Sequence, residues 1–144
     1  MATTALHRNP FWMLGATTRD DRRRLIELAD ERSLTHDAQA CQKARADLTN
    51  PRTRLAAELS WLPGLSPTRA VNLTQRVLTD PLSITKESGL PHLPHANLLA
   101  AAFESLDETA NVATIANLIQ QLAKLTSQCT LDAIVRDLNE DRSI

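Results

Sequence analysis

The sequence predicts an all-α protein, a four-helix N-terminal half followed by a C-terminal helical bundle. Three observations carry this. Only 3% of the 144 residues are aromatic, with two Trp, two Phe and no Tyr. There are three Gly in the whole chain, too few for the tight turns of a sandwich or barrel. The 42% of apolar residues are rich in Ala and Leu and recur at helical spacing, enough to bury a real core.

The elements follow from local chemistry. Residues 1–8 lack periodicity and read as a flexible tail. Asn9-Pro10 opens a short helix, Asn as cap and Pro where its missing N–H costs nothing. Gly15 closes that helix in a left-handed turn. Thr17 or Thr18 is the expected cap of a second helix, with Asp20 and Asp21 in its first turn and Leu25, Leu28 and Ala29 inside. After Thr35-His36-Asp37, with Thr35 or Asp37 as cap, a third helix carries Ala38, Cys41, Ala44 (or Arg45) and Leu48 as a narrow stripe of small side chains. Asn50-Pro51 repeats the Asn-Pro device for a fourth helix with Leu55, Leu59 and Leu62 as its core positions, and Pro63-Gly64 stops it. Ser66-Pro67 starts a fifth with Val71, Val77 and Leu78 inside, followed by an irregular stretch over 81–94. Three amphipathic helices complete the chain, around His95 to Leu106, Val112 to Leu125, and Leu131 to Leu138 capped by Thr130. The expected organisation is therefore a tail over 1–8, a helical domain over 9–64 and a bundle over 65–144.

Net charge is −1, so no global field recruits nucleic acid or an anionic membrane. The sign is uneven, +3 over residues 1–69 and −4 over 70–144. Cys41 and Cys129 stand far apart without metal spacing and suit a reducing compartment. Met1 to Arg8 lacks the apolar stretch of a signal peptide and no run has the length of a membrane span, so a cytoplasmic protein is expected. Catalytic patterns are missing: there is no Gly-rich phosphate loop, no supported nucleophile arrangement and no carboxylate pair in an apolar setting. His92-x-x-His95 has no further ligand at matching spacing, so neither a metal nor any other cofactor is expected.

Asn9-Pro10-Phe11 with Leu14-Gly15, then Leu48-Thr49-Asn50-Pro51 followed by Arg54, resembles the J-domain, the module of DnaJ-type co-chaperones. The first element is similar to that family's opening aromatic-x-x-Leu-Gly. The second is similar to its Leu-Ser-Asp-Pro-x-x-Arg near the end of the third helix. With Leu55, Leu59 and Leu62-Pro63-Gly64 after the Arg, the pattern over residues 9–64 looks most like the HscB-type co-chaperones of iron–sulfur assembly, which also carry a C-terminal helical bundle. The resemblance implies four helices with two long antiparallel ones at their centre. It implies as well that the loop after the second helix would engage a DnaK-type chaperone through a His-Pro-Asp tripeptide. Here that loop reads Thr35-His36-Asp37-Ala38: the Pro is absent, and with it the restraint that stiffens the loop.

The residues that carry interaction chemistry are few. Arg19, Arg22 and Arg23 lead the second helix, a candidate docking face for an acidic partner and otherwise a solvated face neutralised by nearby acids. His36 and Asp37 hold the altered signature. Trp12 lies in a helix too short to bury every large side chain it carries; with Trp61 it is a candidate anchor or a packing element between the halves. The expected function is non-enzymatic: an adaptor binding a protein partner, as part of a larger complex, on a degenerate J-domain-like scaffold. A working co-chaperone for a DnaK-type ATPase is the first rival, and a small nucleic-acid binder using the Arg-rich helix the second. The acidic C-terminal half could meet a basic region of a second copy. Asn139 to Ile144 end without a stop signal, which fits an N-terminal adaptor cut from a longer chain.

Overall fold

A computed structural model describes residues 3–143. Among them are eight α-helices and one 3-10 segment, and no strand. The chain enters through a tight turn in which the Thr4 carbonyl accepts from the backbone N–H groups of His7 and Arg8 at 3.0 and 3.2 Å. Thr4 and Leu6 are buried there, so the loose tail expected over 1–8 is replaced, from residue 3 onward, by a packed lead-in; residues 1 and 2 lie outside the described part. The absence of periodicity is real, but one Leu in a turn needs no period to be buried. Helix α1 (Pro10–Leu14) has the expected ends: the Asn9 side chain accepts from the Phe11 N–H, and Gly15 is left-handed at φ 63°.

Helix α2 (Arg22–Arg32) is capped by Asp21, not by Thr17 or Thr18. Both threonines lie in the preceding turn, where the Asp20 carboxylate accepts from the Thr17 N–H at 2.8 Å. Asp37 caps α3 (Ala38–Thr49), accepting from the N–H groups of Gln39 and Ala40. Helices α2 and α3 pack as a hairpin, and α1 lies against α3. The stripe Cys41, Ala44, Leu48 is buried, whereas Ala38 is exposed. Asn50 both ends α3 and caps α4 (Pro51–Leu59). In α4 the inward face is Ala57 and Glu58; Leu55 is exposed and Leu59 half-buried, so only Leu62 of the expected core positions is buried. The helix is turned by Glu58, whose carboxylate meets Arg54 and, from the other end of the chain, Arg142.

Helix α5 (Pro67–Thr79), capped by Ser66, buries Ala70, Leu73, Thr74 and Val77, while Val71 and Leu78, expected inside, are exposed. Thr74 can be internal because its hydroxyl donates to the Ala70 carbonyl at 2.7 Å. After the 3-10 segment Pro81–Lys86, α6 (His92–Ser105) buries Leu98, Leu99 and Ala102 but leaves Phe103 exposed. Helix α7 (Val112–Gln128) packs on α6, yet only Leu118 of its apolar stripe is fully buried. Helix α8 (Leu131–Arg142) buries Leu138 and leaves Leu131 at 75% exposure. Helices α6 and α7 thus pack closely on one another, while Leu131 and Val135 of α8 stay open to solvent. One continuous apolar cluster runs from Leu6 to Leu118 and includes Trp61, Leu62 and Leu65, so Leu62 and Leu65 belong to the core, while Gly64 and Ser66 between and after them are exposed.

Candidate functional site

A cavity of about 600 Å³ lies where α1, the α2–α3 connection, the first turn of α3 and the outer face of α5 meet. It is of the size that ordinary ligand sites have. Trp12 and Met13 of α1, Trp61, Leu65 and Val71 supply apolar wall; Arg19, Arg32, His36 and Asp37 supply polar atoms. Of the residues that the sequence marks for contacts, Trp12, Trp61, Arg19, His36 and Asp37 all line this one cavity. Arg22 and Arg23 do not. Arg22 lines a separate, shallower cleft with Arg54, Glu58 and Arg142, and Arg23 points to solvent, paired with Glu27 at 3.5 Å. The Arg-rich start of α2 is thus divided among different faces and forms no single basic surface.

The two tryptophans play different parts. Trp61 is 4% exposed, stacked on Phe11 at 6.4 Å between ring centroids, and so serves as wall rather than as a projecting anchor. Trp12 is half-buried, 6.4 Å from Trp61 and edge-on to His7 at 5.1 Å. Arg54 closes the cluster from behind, its guanidinium 5.7 Å from the Phe11 ring centroid. Arg54 is itself fixed by the carbonyls of Thr18 and Asp20 at 3.0 and 3.1 Å. An aromatic ring held from two sides keeps its wall in place without a ligand.

At the hairpin tip, Asp37 spends its carboxylate on the α3 cap, accepting from Gln39 N–H at 2.9 Å and Ala40 N–H at 3.3 Å. His36 Nδ1 sits 2.9 Å from the Thr35 hydroxyl, and the side chain is exposed. Arg19 leans toward Asp141 at 3.8 Å, and the Thr18 hydroxyl donates to the same carboxylate. His7 is held below its ordinary value by burial, against the pull of the Thr74 backbone and of Glu104; among the described residues its Nε2 has no hydrogen-bond partner.

Arg32 is the cavity residue that the sequence does not single out. Its side chain lies against the backbone of Gly15: a Cβ there would meet the Arg32 Nη2 at 2.5 Å. Gly15 is required by its positive φ, and a side chain there would also displace the flexible end of Arg32. No local pattern announces such a contact. On α2, Glu27 pairs with Arg23 and Arg24, and Glu31 with Arg24; among the described residues Arg32 makes no ion pair with these acids or with Asp30.

Among the described residues no group of three or more His, Cys, Asp or Glu is placed to hold a metal ion. His95 is half-buried, held below its ordinary value by burial first and by His92 next, while Glu87 and the Ile84 backbone oppose the shift. Cys41 and Cys129 are free thiols, the first buried, and burial together with Asp137 pushes the second up. No described helix is long and apolar enough to cross a membrane. Compared with protein families, with curated proteins and with solved structures, the chain finds no match in any of the three.

Proposed function

We propose that this chain is a non-enzymatic adaptor that binds a protein partner, within a larger complex, on a degenerate J-domain-like scaffold. One observation carries the reading: Trp12, Trp61, Arg19, His36 and Asp37, distant in sequence, converge on a single cavity at the tip of the α2–α3 hairpin. Aromatic wall beside guanidinium groups is the composition of protein-recognition hot spots. The order of short helix, helical hairpin and Pro-started fourth helix supports the scaffold. The consumption of the Asp37 carboxylate by its own helix cap supports loss of the chaperone-stimulating role. The free thiols suit a reducing, cytoplasmic setting.

The test is capture of partners by the tagged chain in its native cells, repeated with Trp12→Ala, alongside an ATPase assay with DnaK-type chaperones. The adaptor reading expects a stoichiometric partner that Trp12→Ala loses and no stimulation of the ATPase. Stimulation by the parent chain that is abolished by His36→Gln would replace it with the co-chaperone reading.

A further inference from the structure

The cavity is asymmetric in its chemistry, and that asymmetry says what it would hold. Its apolar wall is built from Trp12, Met13, Trp61 and Val71. Trp12 and Trp61 are braced, and Met13 is the adaptable side chain that lets such a wall accept more than one shape. Its formal charges are Arg19, Arg32 and Asp37. Arg19 faces Asp141, and Asp37 is engaged by two backbone N–H groups of α3. Arg32 has no carboxylate within ion-pair distance among the described residues, while Glu27 and Glu31 on its own helix pair with Arg23 and Arg24. A guanidinium without an ion-pair partner, lying against the Gly15 backbone beside an apolar wall, is a receptor for a carboxylate carried next to an apolar group.

The shape favours a peptide over a free lipid acid. Val71, in the cavity wall, is 43% exposed and Gln75, also lining, is exposed. The cavity thus opens along α5, so a chain can lay one side chain inside and continue past in both directions. An alkyl tail would gain most from an enclosed tunnel, which this is not.

Resting on the adaptor reading, we propose that the cavity receives a short acidic–apolar segment of the partner protein. One large aliphatic or aromatic side chain enters beside Trp12 and Met13, and a neighbouring Asp or Glu pairs with Arg32. Binding leaves the basic N-terminal half less charged and covers the exposed edge of Trp12.

The experiment is selection of a random peptide library on the full chain, followed by titration of enriched synthetic peptides into the 15N-labelled protein. Trp12 and Trp61 are its only tryptophans, so two indole N–H signals report the cavity directly. The expected consensus pairs Leu, Ile, Phe or Trp with Asp or Glu, and titration moves both indole signals. Arg32→Gln weakens the acidic peptides about tenfold, the loss of one charge-assisted contact, and leaves their Asn/Gln-substituted versions unchanged. Because Arg32 is at the cavity and outside the apolar core, this variant keeps the fold, which an unchanged helical circular dichroism spectrum verifies. Peptides that move the indoles but carry no acidic preference, or whose affinity ignores Arg32→Gln, would overturn this inference while leaving the adaptor reading intact. Binding of dodecanoate at the indoles with no peptide enriched would overturn it in favour of a lipid acid. Loss of the adaptor reading itself shows elsewhere, as partner capture indifferent to Trp12→Ala.

Discussion

Arg142 in the last turn of α8 places its Nη2 3.2 Å from Oε2 of Glu58 on α4, a contact spanning 84 positions of sequence. The Glu58 side chain is 3% exposed and has Arg54 on its other oxygen at 3.2 Å. The carboxylate is thus shared between a mostly buried arginine and one that is half exposed. Removing the two partners should have unequal effects. Arg54→Ala leaves a buried carboxylate short of its main partner and strips the brace behind Phe11, so it should cost about 3 kcal/mol. Arg142→Ala should cost about 1 kcal/mol or less, because that group is largely hydrated. Urea unfolding of the two variants, followed by circular dichroism, checks the ranking.

Helix α8 is held by polar contacts more than by apolar ones. Leu131 and Val135 are exposed at 75% and 47%, Leu138 is buried, and the buried Asp141 accepts from the Thr18 hydroxyl. Thr18→Val removes that donor and leaves the carboxylate beside an apolar group. The amides of α8 should then exchange with solvent about tenfold faster or more, while those of α3 barely change. Hydrogen exchange read by mass spectrometry separates this local release from global unfolding, which would accelerate both helices alike.

His7 and His95 are both kept below the ordinary histidine value of 6.5, first of all by burial. Below pH 6.5 the unfolded chain takes up protons at these positions while the folded one resists. Stability from this source is therefore full above that pH and is lost as pH falls through the folded values. Glu87 acts in a lower window: the Arg76 hydrogen bond, at 2.5 Å, holds its carboxyl below the ordinary 4.5, and that contribution fades only on further acidification. Thermal melts from pH 8 to pH 5 should show a falling Tm that a His7→Gln, His95→Gln double variant flattens.

Gly15 combines a φ of 63° with the approach of Arg32. Gly15→Ala should cost about 1–2 kcal/mol from the left-handed backbone and push the guanidinium away from its place at the cavity. A denaturation curve gives the first effect. The affinity of an acidic peptide selected on the parent chain gives the second.

Much of the fold was legible because its signals are local. Asn9, Asp37, Ser66 and Thr130 cap the helices that their chemistry marks, since a cap needs only the next three residues. The rotation of each helix was not legible. Leu55, Leu59 and Leu62 have helical spacing, yet Ala57 and Glu58 face inward because Glu58 meets an arginine from α8. In α5 the inward face is shared by Ala70 and Thr74, a small residue and a self-satisfied hydroxyl that an apolar pattern passes over. The packed turn around Leu6 carries no pattern at all. At the site, the tryptophans and the hairpin-tip residues could be read as chemistry, whereas Arg32 owes its place to a backbone approach that no local pattern encodes.

On the proposed reading, the cavity at the hairpin tip is where the partner binds. Partner capture by the tagged chain in its native cells, compared between the parent and Val71→Asp, tests it most directly. Val71 lines the cavity yet is already 43% exposed, so a carboxylate there leaves the fold intact and repels an acidic segment. At least about a tenfold loss of the captured partner is expected, with an unchanged melting curve. Full retention of the partner by a folded Val71→Asp chain would contradict it.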